Sequence, residues 1–172
     1  MPVRQIVYSV ACSLDGFTAR EDHSADWIPQ DQDYGLSSFF ASVDTALIGR
    51  KTHDLMVKMG RSSVPGMATF VFSRSENPPV YENVQWIRDD ALAFVKTLRQ
   101  QPGKHIWLMG GSDLARTFFN AHLVDEVRVT VVPILLGRGV PLISGLMRET
   151  SLRLTEHQVY PNGVLCLRYQ CL

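Results

Sequence analysis

Apolar runs alternate along the chain with stretches whose apolar residues recur at helical spacing. The run at 6–12 is almost continuously apolar, which is typical of a strand buried on both faces. Shorter apolar runs predict four further strands, at 45–48, 69–72, 84–87 and 105–109. Helical spacing and capping residues predict helices at 33–43, at 51–59, from Asp89 or Asp90 to about 100, and after Ser112 or Asp113. This order predicts a layered α/β domain built on a mostly parallel sheet.

The C-terminal part of the chain contains strand patterns only. Residues 125–132 alternate polar and apolar, as a strand with one face in water does. Two further strand patterns, at 152–154 and 165–169, flank Pro161-Asn162-Gly163 and predict an antiparallel hairpin at the edge of the sheet. The hairpin and the segment 131–142 are very apolar for a sheet edge. Because exposed edges are normally covered, we expect a homodimer that buries this region.

Composition restricts the class of protein. The 172 residues suit one domain, and 17 basic residues balance 17 acidic ones, so no broad basic field for nucleic acid or an anionic membrane is expected. No apolar stretch reaches the roughly 18 residues that a membrane helix needs. Cys12, Cys166 and Cys171 form no C-x-x-C pattern, and the five histidines show no metal-ligand spacing. We therefore expect a cytoplasmic protein without a metal site or a disulfide framework.

Two junctions carry candidate chemistry, because in each a strand ends, a glycine follows and a helix begins. They lie at 47–52, around Gly49, and at 108–114, around Gly110 and Gly111. The free N–H groups and the dipole of a helix N-terminus favour an anion. Neither junction matches a G-x-G-x-x-G or a P-loop motif, and glycine is common in such turns for geometric reasons alone. Two junctions at neighbouring strand ends nevertheless indicate a dinucleotide.

A cluster of cations is expected beside the first junction. Arg50 follows Gly49, and Ser73 and Arg74 end the next predicted strand. Guanidinium groups bind phosphate through paired, charge-assisted hydrogen bonds, so this cluster suits a 2′-phosphate on an adenosine ribose. An acidic residue would have favoured NAD. The alternative is that both arginines are solvated at the surface.

Three acids lie near the predicted cleft. Asp15 precedes Gly16 and suits a turn better than catalysis, and Asp33 suits a helix cap. Asp26 precedes Trp27, a pair that suits stacking and hydrogen bonding to a flat ring. Asp26 and Asp33 are the candidate proton donors. His53, in the first turn after Gly49, either borders the phosphates or lies at the surface.

Four motifs in this order resemble a known family: Ser13-Leu-Asp-Gly16, the segment 44–52, Gly110-Gly111 and the segment 131–142. The chain resembles the dihydrofolate reductase-like superfamily, and within it the reductase domain of bifunctional riboflavin-biosynthesis deaminase/reductases and its stand-alone relatives. The resemblance spans nearly the whole chain, 1–172. It implies a three-layer α/β/α fold with about eight strands and NADPH as the cofactor.

The resemblance also implies a set of cofactor-binding positions. Ala11 would lie near the nicotinamide, and a Gly-Gly bond, often cis in this superfamily, would pass under the cofactor. The positions implied are Ala11, Gly49, Arg50, Lys51, Thr52, Ser73, Arg74, Gly110, Gly111, Ser112, Asp113 and Leu114.

Two departures bear on the substrate. The zinc-binding motifs of the deaminase domain are absent from the sequence. Asp33 is the only acid near the position where dihydrofolate reductases carry one, and the segment around it differs, so dihydrofolate is not the expected substrate. The resemblance implies hydride transfer to a small heterocyclic, carbonyl or imine substrate, including an activity like that of 5-amino-6-(5-phosphoribosylamino)uracil reductase.

Two other interpretations remain open at this stage. The chain could be a non-catalytic NADPH-binding sensor or partner module, which predicts binding without turnover. It could also be a purely structural domain, which predicts no NADPH binding.

Overall fold

A computed structural model describes residues 3–172 and contains ten strands and four helices. The strands are β1 Ile6–Ser13, β2 Phe17–Ala19, β3 Val43–Gly49, β4 Ala68–Phe72, β5 Val84–Ile87, β6 His105–Gly110, β7 Glu126–Val132, β8 Val140–Pro141, β9 Leu152–Val159 and β10 Leu165–Cys171. The helices are α1 Leu36–Ser42, α2 Arg50–Lys58, α3 Ala91–Leu98 and α4 Ser112–Asn120.

Eight strands form one sheet in the order β5-β4-β3-β6-β1-β7-β10-β9. Neighbours from β5 to β7 run parallel, and β10 pairs antiparallel with both β7 and β9. The fold is therefore α/β, with a mostly parallel sheet and an antiparallel edge formed by the C-terminal hairpin. Both features agree with the sequence prediction.

Helices cover the two faces of the parallel part of the sheet. On one face, α3 and α4 pack against the larger core, in which Phe118, Ile106 and Leu108 are fully buried. On the other face, Phe39 of α1 packs on Val7, and Met56 of α2 packs against the cluster around Ile48. This arrangement is a three-layer α/β/α architecture.

Several predicted boundaries are wrong. Helix α1 begins at Leu36 rather than at Asp33 and ends before Val43, because Val43 is β-branched, almost completely buried, and already starts β3. The first hairpin strand extends to Val159, well beyond 154. The short strands β2 and β8, which pair antiparallel as a separate two-stranded sheet, have no counterpart in the prediction because they are too short to show a period.

No helix in the part of the chain that the structure describes is long and apolar enough to cross a bilayer.

Candidate cofactor site

The helices at the two glycine junctions begin without a capping side chain. Gly49 is the N-cap of α2 and Gly111 the N-cap of α4, and no side chain among residues 3–172 accepts a hydrogen bond from a backbone N–H of either first turn. The expectation that Ser112 or Asp113 caps α4 is therefore wrong, because both lie inside its first turn. By contrast, α3 is capped in the ordinary way. The first N–H groups of α2 and α4 remain free to bind an anion.

The side chain of Asp90 caps α3 by accepting hydrogen bonds from the N–H groups of Leu92 and Ala93, each at 3.0 Å. Asp90, rather than Asp89, is thus the capping residue. An acidic side chain therefore caps α3, as capping preferences predict.

The two junctions approach each other closely where β3 and β6 end side by side. A Cβ atom built on Gly49 would lie 3.3 Å from the backbone nitrogen of Gly111, and one built on Gly111 would lie 3.1 Å from the Thr52 hydroxyl oxygen. The peptide bond between Gly110 and Gly111 is cis. Gly110 has a φ of 104°, a backbone conformation that strongly favours glycine. The glycines thus let two backbone segments lie almost in contact at the carboxyl edge of the sheet.

A cavity of about 660 Å³ opens at this edge. Its volume is in the range of ligand and cofactor sites. Ten of the twelve cofactor positions expected from the sequence line it: Gly49, Arg50, Lys51, Thr52, Ser73, Arg74, Gly111, Ser112, Asp113 and Leu114. The structure therefore brings together, around one space, residues that are up to 65 positions apart in the chain.

Cations concentrate at the end of the cavity that β4 and β5 border. The guanidinium of Arg50 lies 3.5 Å from the Ser73 hydroxyl oxygen and 5.9 Å from the centre of the Trp86 ring. It also pairs with Asp54, one helical turn on, at 3.1 Å. Arg74 and Arg88 line the same cavity. Three guanidinium groups and a hydroxyl therefore line one cavity, and these are groups that bind a phosphate monoester.

Arg88 was missed in the sequence analysis. It follows β5 directly, and Nη1 of its guanidinium donates to the Glu76 carbonyl oxygen at 2.9 Å. The sequence could have revealed Arg88, because it directly follows the predicted strand β5. The carboxyl end of β5 lies at the same edge of the sheet as those of β3 and β4. Asp89 and Asp113 also line the cavity, but Asp113 pairs with Arg116 at 3.1 Å.

The opposite end of the cavity is bordered by His23 and Val140. His23 has a φ of 66° and its N–H donates to the Arg20 carbonyl oxygen, in a tight turn after β2. Strands β2 and β8 pair with each other and so fix the position of this border. No sequence pattern pointed to His23.

Asp15 fastens the loops near this border. Its carboxylate accepts a hydrogen bond from the Ser13 hydroxyl at 2.6 Å and from the N–H groups of Leu136 and Gly137 at 3.1 and 2.7 Å. These hydrogen bonds lower the pKa of the Asp15 carboxyl below its ordinary value, and the bond from Ser13 has the largest effect. Two of the four sequence motifs, those around residues 13–16 and 131–142, are therefore joined by one carboxylate, and Asp15 is a turn residue as expected.

Two expected cofactor positions lie outside the cavity lining. Ala11 is half-buried in β1 and is paired with Thr130 of β7. Gly110 is buried at the end of β6, behind Gly111. Their role in cofactor binding stays a prediction.

The two candidate proton donors also lie outside the cavity lining. Asp26 pairs with Arg20 at 3.1 Å, and this contact lowers the pKa of the Asp26 carboxyl. Asp33 accepts a hydrogen bond from the Ser37 hydroxyl at 2.7 Å and another from its N–H, and these lower the pKa of the Asp33 carboxyl. Both groups are thus ionised at neutral pH, a state that accepts a proton rather than donates one. A catalytic role for either stays a prediction.

Neither expectation for His53 is met. His53 is completely buried in α2, between the rings of Tyr81 and Trp86, and its Nε2 lies 2.8 Å from the Ser62 carbonyl oxygen. Its Nδ1 has no hydrogen-bond partner among the described residues. His53 therefore packs α2 against the adjacent loops and does not border the cavity.

Comparison with known proteins places the chain in a family. The model of the RibD C-terminal domain matches residues 4–166. The uncharacterized protein YwjB of Bacillus subtilis is 38% identical over 94% of this chain and 95% of its own length.

Solved structures agree in fold. A putative riboflavin biosynthesis protein from Shewanella sp. PV-4 superimposes with a TM-score of 0.86 at 26% identity, covering 98% of this chain and 99% of its own. Dihydrofolate reductase from Enterococcus faecalis, solved with NADP(H), superimposes with a TM-score of 0.72 at 15% identity, covering 97% and 96% of the two chains. The second similarity is one of fold alone. Given the match over 4–166, the chain belongs to the RibD C-terminal domain family.

Proposed function

We propose that the chain is an NADPH-dependent reductase that transfers a hydride to a small heterocyclic, carbonyl or imine substrate. The observation that carries this proposal is one cavity bordered by two helix N-termini without capping side chains and by a cluster of arginines. A dinucleotide has a pyrophosphate for the helix termini and, in NADPH, a 2′-phosphate for the arginines.

The residues present fit this cofactor. The N–H groups at the starts of α2 and α4 would bind the pyrophosphate, and the absence of side chains at Gly49 and Gly111 gives it close access to the backbone. Arg50, Ser73 and Arg74 would bind the 2′-phosphate, and Arg88 adds a third guanidinium. When bound, the cofactor supplies the hydride, and the protein orients it and excludes water.

The charge of the lining favours NADPH over NADH. Four permanent cations line the cavity, Arg50, Lys51, Arg74 and Arg88, against two carboxylates, Asp89 and Asp113. Asp113 is paired with Arg116 and Arg50 with Asp54, which leaves Lys51, Arg74 and Arg88 against Asp89, so the lining has an excess of positive charge. A phosphate monoester gains from this excess, whereas the two free hydroxyls of NADH gain much less.

One solved structure of the same fold suggests the substrate class. A structure that superimposes with a TM-score of 0.76 at 14% identity is a deaminase/5-amino-6-(5-phosphoribosylamino)uracil reductase of Thermotoga maritima. We include a related pyrimidine among the substrates to be tested. We further propose that the chain acts as one domain in the cytoplasm, where its three cysteines stay reduced, and that it forms a homodimer.

Calorimetric titration with NADPH and NADH tests the proposal. We expect micromolar or tighter binding of NADPH, weaker binding of NADH, and loss of that preference in the double variant Arg50→Ala, Arg74→Ala. Hydrogen bonds to charged groups contribute about 1.5–3 kcal/mol each, so NADPH affinity should fall by about 10- to 100-fold or more. The control is Arg61→Ala, which removes an exposed arginine outside the cavity.

An absence of NADPH binding by the unaltered protein would contradict the proposal. Equal binding of NADPH and NADH would contradict the proposal that the arginines bind the 2′-phosphate. Tight NADPH binding, with no oxidation of NADPH when pterin, ribityl-pyrimidine, carbonyl and imine substrates are added, would instead support a non-catalytic sensor.

A further inference from the structure

One indole ring lies directly behind an arginine at the phosphate-binding end of the cavity. Trp86, in β5, is half-buried and packs against the cluster around Ile48 on the α2 side of the sheet. The guanidinium carbon of Arg50 lies over this ring, 5.9 Å from its centre. Arg50 lines the cavity, whereas Trp86 does not. The indole is therefore placed to act on a bound phosphate only through Arg50.

Trp86 is itself fixed by contacts on more than one side. Its Nε1–H donates to the Pro79 carbonyl oxygen at 2.8 Å. The His53 ring meets the indole edge-on, with the ring centres 5.2 Å apart and the planes at 79°. His53 is completely buried, and its Nε2 lies 2.8 Å from the Ser62 carbonyl oxygen. Because a carbonyl oxygen can only accept, Nε2 carries a proton and the imidazole is held by this hydrogen bond.

The segment that connects β4 with β5 orients a second cation as well. Pro79 belongs to this segment, and the carbonyl oxygen of Glu76, also in it, accepts a hydrogen bond from Nη1 of Arg88 at 2.9 Å. The segment contains two successive prolines, Pro78 and Pro79, whose rings restrict the backbone. One restricted segment thus holds both the indole behind Arg50 and the guanidinium of Arg88.

The ion pair between Arg50 and Asp54 is a weaker constraint on the guanidinium. Nε of Arg50 lies 3.1 Å from the carboxylate, but the two side chains are 43% and 49% exposed. Ion pairs so open to water contribute little, because the solvent screens them and the side chains lose conformational freedom. The pair does occupy Nε, which leaves the two terminal nitrogens for a ligand. One of them, Nη1, lies 3.5 Å from the Ser73 hydroxyl oxygen.

We infer that Trp86 is a positioning residue that strengthens the preference for NADPH over NADH by holding Arg50 against its ring face. The inference rests on the proposed function, in which Arg50 binds the 2′-phosphate. A guanidinium over an aromatic face is attracted by the electrons of the ring, and indole attracts it most strongly. An arginine that is already held loses less conformational freedom when a phosphate binds, so more of the interaction appears as affinity. NADH lacks this phosphate and gains little.

The ratio of the NADH to the NADPH dissociation constant, measured by calorimetric titration, tests this inference. Trp86→Met keeps an apolar side chain but removes the ring face, so the ratio should fall about 2- to 20-fold while the affinity for NADH stays unchanged. Trp86→Phe keeps a ring, and its ratio should lie between those of Trp86→Met and the unaltered protein. Added to Arg50→Ala, Trp86→Met should lower the ratio no further, because the guanidinium through which Trp86 acts is gone.

Two controls separate this role from a purely structural one. Trp107 packs against the same cluster around Ile48 as Trp86 but does not line the cavity or contact Arg50, so Trp107→Met should leave the ratio unchanged. Asp54→Ala removes the ion pair with Arg50. Its ratio should stay the same or rise, because a negative charge near the phosphate is lost.

A chemical variant of the ring keeps the test open if Trp86→Met does not fold, which circular dichroism and NADH titration show. A tryptophan fluorinated on its benzene ring and introduced only at position 86 keeps the shape of the side chain but weakens the negative charge of the ring face. Its ratio should also fall.

An unchanged ratio in Trp86→Met, or in the fluorinated variant where Trp86→Met does not fold, would overturn the inference. So would an equal fall in Trp107→Met, or a further fall when Trp86→Met is added to Arg50→Ala. In each of these cases NADPH still binds, and the proposed function stands. An absence of NADPH binding by the unaltered protein would instead overturn both.

Discussion

Single residues hold the loops around the cavity in place, and Asp15 is the clearest case. One carboxylate connects the turn after β1 with the loop that follows β7, through Ser13, Leu136 and Gly137. Both motifs are visible in the sequence, and the Asp15-Gly16 pair predicts a turn. The sequence does not show that the two motifs touch, because the contact spans 122 positions and no local pattern encodes it.

Asp15→Asn should destabilise the protein in a pH-dependent manner. The amide keeps one acceptor but loses the second, so one of the N–H groups of Leu136 and Gly137 loses its partner. The pKa of Asp15 is below the ordinary 3.8, so its ionised form stabilises the folded state above about pH 4 and this contribution is lost as the pH falls further. Melting temperatures of the two proteins should therefore differ at pH 7 and converge in acid.

Glu149→Gln, which alters an exposed carboxylate outside this network, is the control and should leave the melting temperature nearly unchanged. Equal stability of Asp15→Asn and the unaltered protein at pH 7 would show that the Asp15 contacts do not hold the loops.

At the scale of elements, helix starts distinguish the site from the rest of the fold. Asp90 closes α3, and α1, which also starts at a glycine, donates the N–H of Ser37 to Asp33. By contrast, α2 and α4 start at glycines with their first N–H groups free of side-chain caps from the described residues. The sequence predicted both junctions, because a strand, a glycine and an apolar helix face are all local signals. It gave the wrong cap for α4, since Ser112 and Asp113 are common capping residues and only the structure shows the helix starting one residue earlier.

The two glycines should tolerate alanine to different degrees. In Gly49→Ala the new methyl group meets the backbone nitrogen of Gly111 at 3.3 Å, and backbone cannot move aside without separating the junctions. In Gly111→Ala it meets the Thr52 hydroxyl at 3.1 Å, which a side-chain rotation relieves. We expect Gly49→Ala to lose about 1–3 kcal/mol of stability and most of its NADPH affinity, and Gly111→Ala to lose less stability.

Each glycine variant serves as the control for the other, in parallel chemical denaturation and NADPH titration. A greater loss of stability in Gly111→Ala than in Gly49→Ala would contradict the account of the close approach.

At the scale of the whole molecule, the alternation of strands and helices was enough to predict the class of fold. The antiparallel edge followed from the all-β C-terminal part, whereas the order of the strands in the sheet was not predicted. What the sequence did not reveal are features that arise only when distant segments meet: the β2–β8 pair, His23 and Arg88 at the cavity, and the indole of Trp86 behind Arg50. Burial depends on cover from elsewhere in the chain, which no local pattern reports.

The most direct test of the central claim is a crystal structure of the protein with NADPH. We expect the pyrophosphate between the N-termini of α2 and α4, and the 2′-phosphate within hydrogen-bonding distance of Ser73 and at least one of Arg50, Arg74 and Arg88. An NADPH molecule bound elsewhere, or a cavity that remains empty at saturating NADPH, would contradict the assignment of this cavity as the cofactor site.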